Sequence, residues 1–244
     1  MQLEALALRL RPRTPLEASD LGIRLCQDAA RSIYPCYAVV AVPITIAAIA
    51  SYRIAAWLPV LLIWSAKPCL DRTILFVLSR AAFGLDTVPA DVWRAQRGVW
   101  WRRFLFTWTV RRLSPWRALT EPVYQLERFS ILKGAHRIRQ IRSRVMGSAL
   151  MVTSVFGLCE FALSIALLSL VFWFAPAGRA PTFDEIISGD VPGLILATLS
   201  LAYAAAVVFL EPFYVATGFA MYLNRRAELE AWDIEQEFRR AFAH

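Results

Sequence analysis

The chain has 244 residues, of which 58% are hydrophobic and only 19% charged, and its formal net charge is +8. Soluble domains average about 25% charged residues, so this composition argues against an ordinary soluble enzyme and indicates an all-α integral membrane protein. An excess of Lys and Arg in cytoplasmic segments accounts for the positive charge, so no nucleic acid is predicted as a partner.

The first segment, residues 1–33, is predicted to contain an N-terminal amphipathic helix. Thr14 fits the N-cap, Pro15 the first helical position and Glu17 the reciprocal capping position. Such a helix lies on a membrane or packs on another helix, and the sequence leaves both open. Charges continue to Arg31 before the first apolar block, so no cleaved secretion signal is predicted.

Residues 34–70 are predicted to form a first transmembrane hairpin. Its first helix, 32–51, has twenty residues without a charge, which is enough to cross about 30 Å of hydrocarbon. The second, 54–66, has only thirteen uncharged residues. It becomes long enough if Lys67 extends its ammonium group to the headgroups and the helix runs on to Leu70.

A basic and Trp-rich segment of cytoplasmic or interfacial helices is predicted at 71–144. From Lys67 to residue 144 there are sixteen Lys and Arg against five acids. The anchors predicted to hold this segment at anionic lipid headgroups are Trp93, Trp100, Trp101, Trp108, Arg102 and Arg103. The same residue types stack on nucleic acid, but an amphipathic surface on the inner leaflet or around a cytoplasmic vestibule is the favoured interpretation.

A second transmembrane hairpin is predicted at 145–224. The block 145–175 holds a single charge, Glu160, and a polar loop at 176–192 separates it from the apolar block 193–224. Together with the first hairpin, this gives about four transmembrane helices.

A polar helix is predicted at the C-terminal end, 225–244, where Arg226 and Glu230 have the spacing of a helical ion pair. Basic residues are concentrated in alternate segments of the chain. The two predicted outer turns contain one basic residue each, Arg53 and Arg179. This pattern predicts that both termini and the basic middle segment face the cytoplasm.

Two places in the apolar blocks resemble each other. Lys67-Pro68 and Glu211-Pro212 each follow an apolar stretch and precede about a dozen mostly apolar residues. Such an internal echo fits two hairpins in parallel orientation, as in some transport proteins. Proline removes an amide donor, so a break or kink is predicted at each step, and Lys67 and Glu211 are predicted to pair.

The candidate intramembrane polar site consists of Glu160, Glu211 and Lys67. A carboxylate near the bilayer centre costs a few kcal/mol. Glu160 is therefore predicted to have either a functional role, in ion or proton handling, or a structural role. In the structural alternative it is protonated and bonded to a neighbouring helix, or is paired with a buried Arg.

Enzyme and metal signatures are missing from the sequence. There are two histidines, His136 and His244, and no HExxH, GxSxG, Walker or GxGxxG pattern. The four cysteines show no ligand spacing, and small buried thiols are predicted at Cys36 and Cys159. No catalytic residue, metal or cofactor is therefore predicted.

The stretch 211–235, EPFYVATGFAMYLNRRAELEAWDIE, resembles the C-terminal signature of uncharacterised bacterial multi-pass inner-membrane proteins, whose genes often neighbour those of MoxR-type ATPases. The run 67–84, KPxxDRxxLFxLSRAxFG, is similar to the same group. The pattern LYxxxRxxxEgxDIe resembles the membrane domain of some glycerophosphodiester phosphodiesterases, but Asn224 and Ala231 stand where that pattern often has Asp and Gly. The resemblance implies a bacterial inner-membrane location and no assigned activity.

The sequence therefore predicts a non-enzymatic multi-pass protein that acts as a scaffold or accessory subunit of a cell-envelope complex. Its partners would be the lipid bilayer, anionic headgroups and a membrane or cytoplasmic protein, with a MoxR-type ATPase system implied by the resemblance. The alternative is a small transporter or channel whose path is lined by Glu160, Glu211 and Lys67.

Overall fold

In the computed structural model the described residues are 13–55, 57–96, 99–100, 114–127, 131–174 and 193–230. They form eight α-helices, which are α1 (Pro15–Asp28), α2 (Ala30–Ala50), α3 (Leu58–Ala81), α4 (Pro89–Gln96), α5 (Arg117–Leu126), α6 (Ile131–Arg142), α7 (Met146–Trp173) and α8 (Gly193–Glu230). The predicted all-α class is confirmed. The predicted loop at 176–192 lies outside the described residues.

Helix α1 begins with the predicted capping box. The Thr14 hydroxyl accepts from the Glu17 amide at 3.3 Å, and the Glu17 carboxylate accepts from the Thr14 amide at 3.1 Å. Pro15 occupies the first turn, where its missing N–H has no helical partner to lose. The reciprocal bonds satisfy two amides that the helix itself leaves unpaired.

Helix α1 packs against α8, which decides one of the two arrangements that the sequence left open. A Cβ added to Gly22 would lie 2.4 Å from the Ala216 carbonyl oxygen, so only glycine permits this approach of the two helices. The Asn224 side chain accepts from the Arg13 amide at 3.0 Å and donates to the Arg13 carbonyl at 2.9 Å. The N-terminal segment is thereby held to the last third of α8.

The prediction of a break at each proline is wrong, whereas a kink at each proline stays a prediction. Pro68 lies inside α3 and Pro212 lies inside α8, and each helix continues on both sides of its proline. A proline within a helix costs about 3 kcal/mol because one hydrogen bond is lost and the ring clashes with the preceding turn. Burial of the residues that follow, such as Ile74 in α3 and Phe219 in α8, offsets this cost.

Within the described ranges, three helices are long and apolar enough to cross a membrane, where about four are predicted from the sequence. They are Ala30–Arg53, Met146–Leu170 and Ala197–Glu230. Helix α3 has 24 residues and sufficient length, but Lys67, Asp71 and Arg72 interrupt its apolar stretch. The candidate spans indicate a multi-pass membrane protein.

Two helices continue past predicted segment boundaries. The basic segment is predicted to begin at residue 71, and helix α3 continues past that residue to Ala81, so the second half of α3 belongs to the same long helix as its apolar first half. The C-terminal polar helix was expected to begin at Arg225. Instead α8 continues without interruption to Glu230, and residues 231–244 lie outside the described part of the chain.

The chain divides into two compact units. Unit 1 comprises Met1–Tyr37, Pro68–Ser154 and Glu211–His244, and unit 2 comprises Ala38–Lys67 and Val155–Leu210. Two of the divisions fall at the charge-proline steps, between Lys67 and Pro68 and next to Glu211. The echo that the sequence contains therefore marks a change of unit within a continuous helix.

Unit 1 has a core in which large apolar side chains surround several buried charges. Ile74, Leu78, Leu119, Phe219 and Tyr222 are fully or almost fully buried in it. Unit 2 has the opposite distribution, because many of its large apolar side chains are exposed. Examples on α2, α3 and α7 are Val42, Ile46, Leu61, Trp64, Leu158, Phe161 and Ile165. An apolar surface of this kind is typical of helices that face lipid.

Candidate functional site

The first candidate site is an ion pair within unit 2. The Lys67 ammonium group on α3 lies 2.6 Å from a Glu160 carboxylate oxygen on α7, and the two side chains are 9% and 18% exposed. Both residues were predicted as members of an intramembrane polar site, and the structure brings these two together. Pairing removes much of the cost of placing a charge among apolar helices.

The second candidate site lies in unit 1 and is called here the core charge cluster. Its members are Asp71 and Arg72 of α3, Arg117 and Glu121 of α5, and Glu211 of α8. Arg117 lies 2.6 Å from the Asp71 carboxylate and 2.7 Å from the Glu211 carboxylate. A single guanidinium group therefore connects three helices.

A second arginine completes the core charge cluster. The Nε atom of Arg72 donates to the Glu121 carboxylate at 3.0 Å, with side-chain exposures of 4% and 3%. The Arg72 carbonyl accepts from the side-chain Nε2 of Gln125 at 2.9 Å, which holds α3 against α5 one turn beyond Glu121. The cluster thus holds three carboxylates against two arginines, and each carboxylate is paired with a guanidinium group.

The pKa of Arg117 reflects both its burial and its carboxylate neighbours. Burial would by itself lower the pKa of Arg117, but the carboxylates of Asp71 and Glu211 outweigh it and raise the pKa above its ordinary value. The Arg117 guanidinium carbon also lies 5.4 Å from the centre of the Tyr214 ring, a cation–π contact. The two carboxylates therefore favour the charged form of Arg117.

The sequence predicted that Lys67 pairs with Glu211. In the structure Lys67 contacts Glu160, and Glu211 contacts Arg117. The three residues of the predicted polar site are therefore divided between two sites, one in each unit. A direct pair between Lys67 and Glu211 stays a prediction.

A further group of charges, called here the C-terminal charge cluster, lies between α6, the end of α5 and the end of α8. Arg137 donates to the Glu127 carboxylate at 3.1 Å and also contacts Glu230. The Tyr222 hydroxyl donates to Glu127 at 2.6 Å. The predicted pair of Arg226 with Glu230 is confirmed at 3.0 Å. This cluster ties the last turns of α8 to the basic segment.

Two of the anchors predicted for lipid headgroups lie within the described residues, and their anchoring role stays a prediction. Trp93 is 58% exposed on α4. Trp100 donates its indole N–H to the Thr73 hydroxyl at 3.0 Å and packs edge-on against Trp93. The other four, Trp101, Trp108, Arg102 and Arg103, lie outside the described residues.

The cysteines follow the prediction in part. Cys26 and Cys36 are buried, and burial raises the pKa of Cys26 to about 12. Cys159 is exposed, so the prediction of a buried thiol there is wrong. It lies on α7, whose apolar side chains are largely exposed, because a helix surrounded by lipid carries apolar residues on every face.

Sequence reasoning missed Arg117 and Glu121 as site residues. A signal was present, because Glu121-Pro122-Val123-Tyr124 in α5 repeats the form of Glu211-Pro212-Phe213-Tyr214 in α8. In both tetrapeptides the glutamate pairs with a buried arginine. Helices α5 and α8 also approach closely, since a Cβ on Gly218 would lie 2.3 Å from the Ala118 Cβ.

No protein-family model, curated protein or solved structure matches this chain. The resemblance to bacterial inner-membrane proteins therefore stays a prediction. Within the residues that the structure describes, no group of three or more His, Cys, Asp or Glu side chains is arranged to hold a metal ion. The two candidate sites are sets of paired charges, which fix helices against one another.

Proposed function

We propose that this chain is a non-enzymatic, multi-pass protein of the bacterial inner membrane that acts as a scaffold or accessory subunit of a cell-envelope complex. The observation that carries this proposal is the core charge cluster, whose members Arg72, Glu121 and Glu211 have side chains only 2–4% exposed. A path for ions needs charged groups that meet water along its length. Charges that are buried and paired instead favour a fixed arrangement of helices.

Close packing supports the same role. Gly22 and Gly218 each allow a neighbouring helix to approach α8 at a distance that no larger residue permits. Helices locked in this way form a rigid unit that presents its outer surfaces to partners. The exposed basic residues of that unit include Arg139 and Arg144, and they provide a surface for an acidic protein partner or for anionic lipid headgroups.

Orientation is part of the proposal. If α3 crosses the membrane together with the three candidate spans, the four passes place both termini on the same side, and the excess of basic residues assigns that side to the cytoplasm. Single cysteines in place of Arg53 and Arg144, in a cysteine-free background, test this arrangement. Arg144→Cys should react with an impermeant reagent from the cytoplasmic side and Arg53→Cys only from the other side.

The experiment for the scaffold role is purification in mild detergent after cross-linking in cells, with the bound proteins identified by mass spectrometry. We expect a stable, stoichiometric protein partner, and the MoxR-type ATPase system is the first to be looked for. Replacement of Arg139 and Arg144 by Glu should abolish its recovery, whereas the matched variant Arg53→Glu should retain it. Recovery of no partner from the cross-linked wild type would count against the role.

A small transporter or channel is the second candidate, and one observation favours it. The pair of Lys67 and Glu160 lies in unit 2, among helices with exposed apolar surfaces, where a charge is costly unless it has a use or a partner. Glu160→Gln should change proton or ion flux in proteoliposomes under this reading. Flux at background level in both wild type and variant would count against a transporter or channel and favour the scaffold role.

A further inference from the structure

A groove in unit 1 lies where α1 passes into α2, beside the end of α3. Its volume is about 710 Å³, and the turn after α3 forms one wall, where Gly84 has a φ of 68°. Only glycine adopts this left-handed conformation readily, so the turn after α3 depends on glycine at position 84. The groove opens at the N-terminal end of the candidate span Ala30–Arg53, which is where headgroups meet a membrane helix.

The charges of the groove are balanced. Two arginines, Arg24 and Arg31, and two aspartates, Asp28 and Asp86, line it. Arg24, Asp28 and Arg31 follow at intervals of four and three residues, which is one face of the helical chain. All four of these residues are exposed. A ligand that carries one charge of each sign would therefore complement the groove better than an anion alone.

The apolar part of the groove fits the same ligand. Leu21 and Leu25 of α1 line it together with Leu85, which is 54% exposed. An apolar surface next to balanced charges, at the end of a membrane helix, matches the boundary between a phospholipid headgroup and its acyl chains. A soluble charged metabolite has no acyl chain to contact these three leucines.

We propose that this groove binds a phosphoethanolamine lipid, with the phosphate at Arg24 and Arg31 and the primary ammonium group at Asp28 and Asp86. The guanidinium groups donate to phosphate oxygens, and the ammonium group donates to the carboxylates. A choline headgroup has no N–H to donate, and a glycerol headgroup has no positive charge. The groove therefore distinguishes ethanolamine lipids from choline and glycerol lipids by the primary ammonium group of the headgroup.

The test uses the purified full chain in detergent with equimolar phosphatidylethanolamine, phosphatidylcholine and phosphatidylglycerol that have identical acyl chains. Native mass spectrometry measures the bound lipids. We expect the ethanolamine lipid to be retained about tenfold over the choline lipid, the ratio that about 1.4 kcal/mol of charge-assisted hydrogen bonding gives. Equal retention of the three lipids by the wild type would overturn the proposal.

Variants separate the two ends of the headgroup. Asp28→Asn with Asp86→Asn should remove the preference for ethanolamine over choline and raise the share of phosphatidylglycerol. Arg24→Gln with Arg31→Gln should reduce retention of all three lipids, while Lys at both positions should preserve most of it. The control, Arg53→Gln, removes an exposed arginine outside the groove and should leave the lipid ratio unchanged. A control that changes the ratio as much as the groove variants would refute the assignment.

The proposal relies on the membrane location stated under the proposed function but not on the scaffold role. Its readout is a lipid ratio for the isolated chain, so it is independent of any protein partner. Absence of a partner in cells would leave the lipid result as it stands, and equal lipid retention would leave the scaffold role as it stands.

Discussion

The two units of this chain differ in which side chains they bury and which they expose. Unit 1 buries four charged residues of its core charge cluster and most of the fifth, Arg117, among apolar side chains. Unit 2 exposes many of its large apolar side chains and contains the ion pair of Lys67 with Glu160. In a soluble environment the second distribution would be unfavourable, and in lipid it is the stable one. Whether an exposed apolar side chain in this protein is favourable therefore depends on whether it faces water or hydrocarbon.

The largest effect is expected at the centre of unit 1. Arg117→Ala leaves Asp71 and Glu211 buried beside each other without their shared cation, and we expect a loss of about 3–5 kcal/mol in the free energy of unfolding. Unfolding in mixed detergent, followed by circular dichroism, measures it. Arg144→Ala removes an exposed arginine and should change stability by less than about 0.5 kcal/mol. Similar losses in the two variants would mean that the cluster is not what holds unit 1 together.

The ion pair of unit 2 gives a smaller effect with a different pattern. Lys67→Met alone leaves a carboxylate among apolar helices and should cost about 3 kcal/mol, whereas adding Glu160→Leu should restore most of the stability. The double-mutant cycle in the same unfolding assay isolates the coupling between the two residues. If the double variant is no more stable than Lys67→Met, the pair is required for more than mutual neutralisation.

Glycine substitutions are expected to act with opposite signs in the two units. Gly218→Ala places a Cβ 2.3 Å from the Ala118 Cβ and should destabilise by about 1–3 kcal/mol. In unit 2, Gly157→Ala meets nothing within 4 Å and should stabilise α7 by about 0.5–1 kcal/mol. Melting temperatures of the two variants, measured in one detergent, test this difference. Destabilisation by both would mean that α7 is packed as tightly as α8.

The smallest effect concerns the start of α1. Thr14→Ala removes the side chain that accepts from the Glu17 amide, and we expect a loss of about 1 kcal/mol. The loss should appear as faster hydrogen exchange in α1, with no change in α7. Thr14→Ser keeps the hydroxyl and is the matched control, so equal exchange in both variants would contradict a role for the cap.

Features that depend on short stretches of sequence were predictable. The capping box at Thr14, the pair of Arg226 with Glu230, and the long apolar helices all follow from spacing along one helix. They require no knowledge of which helices are neighbours. For the same reason the membrane class could be predicted from composition alone.

Features that depend on contacts between helices were predicted less well. Arg117 stands in a basic segment among many other arginines, and its role comes from its contacts with Asp71 and Glu211 on two other helices. The helices also pass through Pro68 and Pro212, because packing after each proline outweighs the local cost that the sequence reveals. The repeated Glu-Pro-x-Tyr form was the one local trace of this arrangement.

The length of α8 has a consequence for its depth. The 18 residues from Gly193 to Leu210 extend about 27 Å, close to the hydrocarbon thickness of about 30 Å, and the first charge, Glu211, follows at once. All 38 residues extend about 57 Å, and a tilt of 40° still leaves about 44 Å along the membrane normal. At this tilt the helix is still longer than the hydrocarbon core of a bilayer is thick. If residues 193–210 cross the hydrocarbon core, Glu211 lies at the membrane boundary, and the residues after it project beyond that boundary.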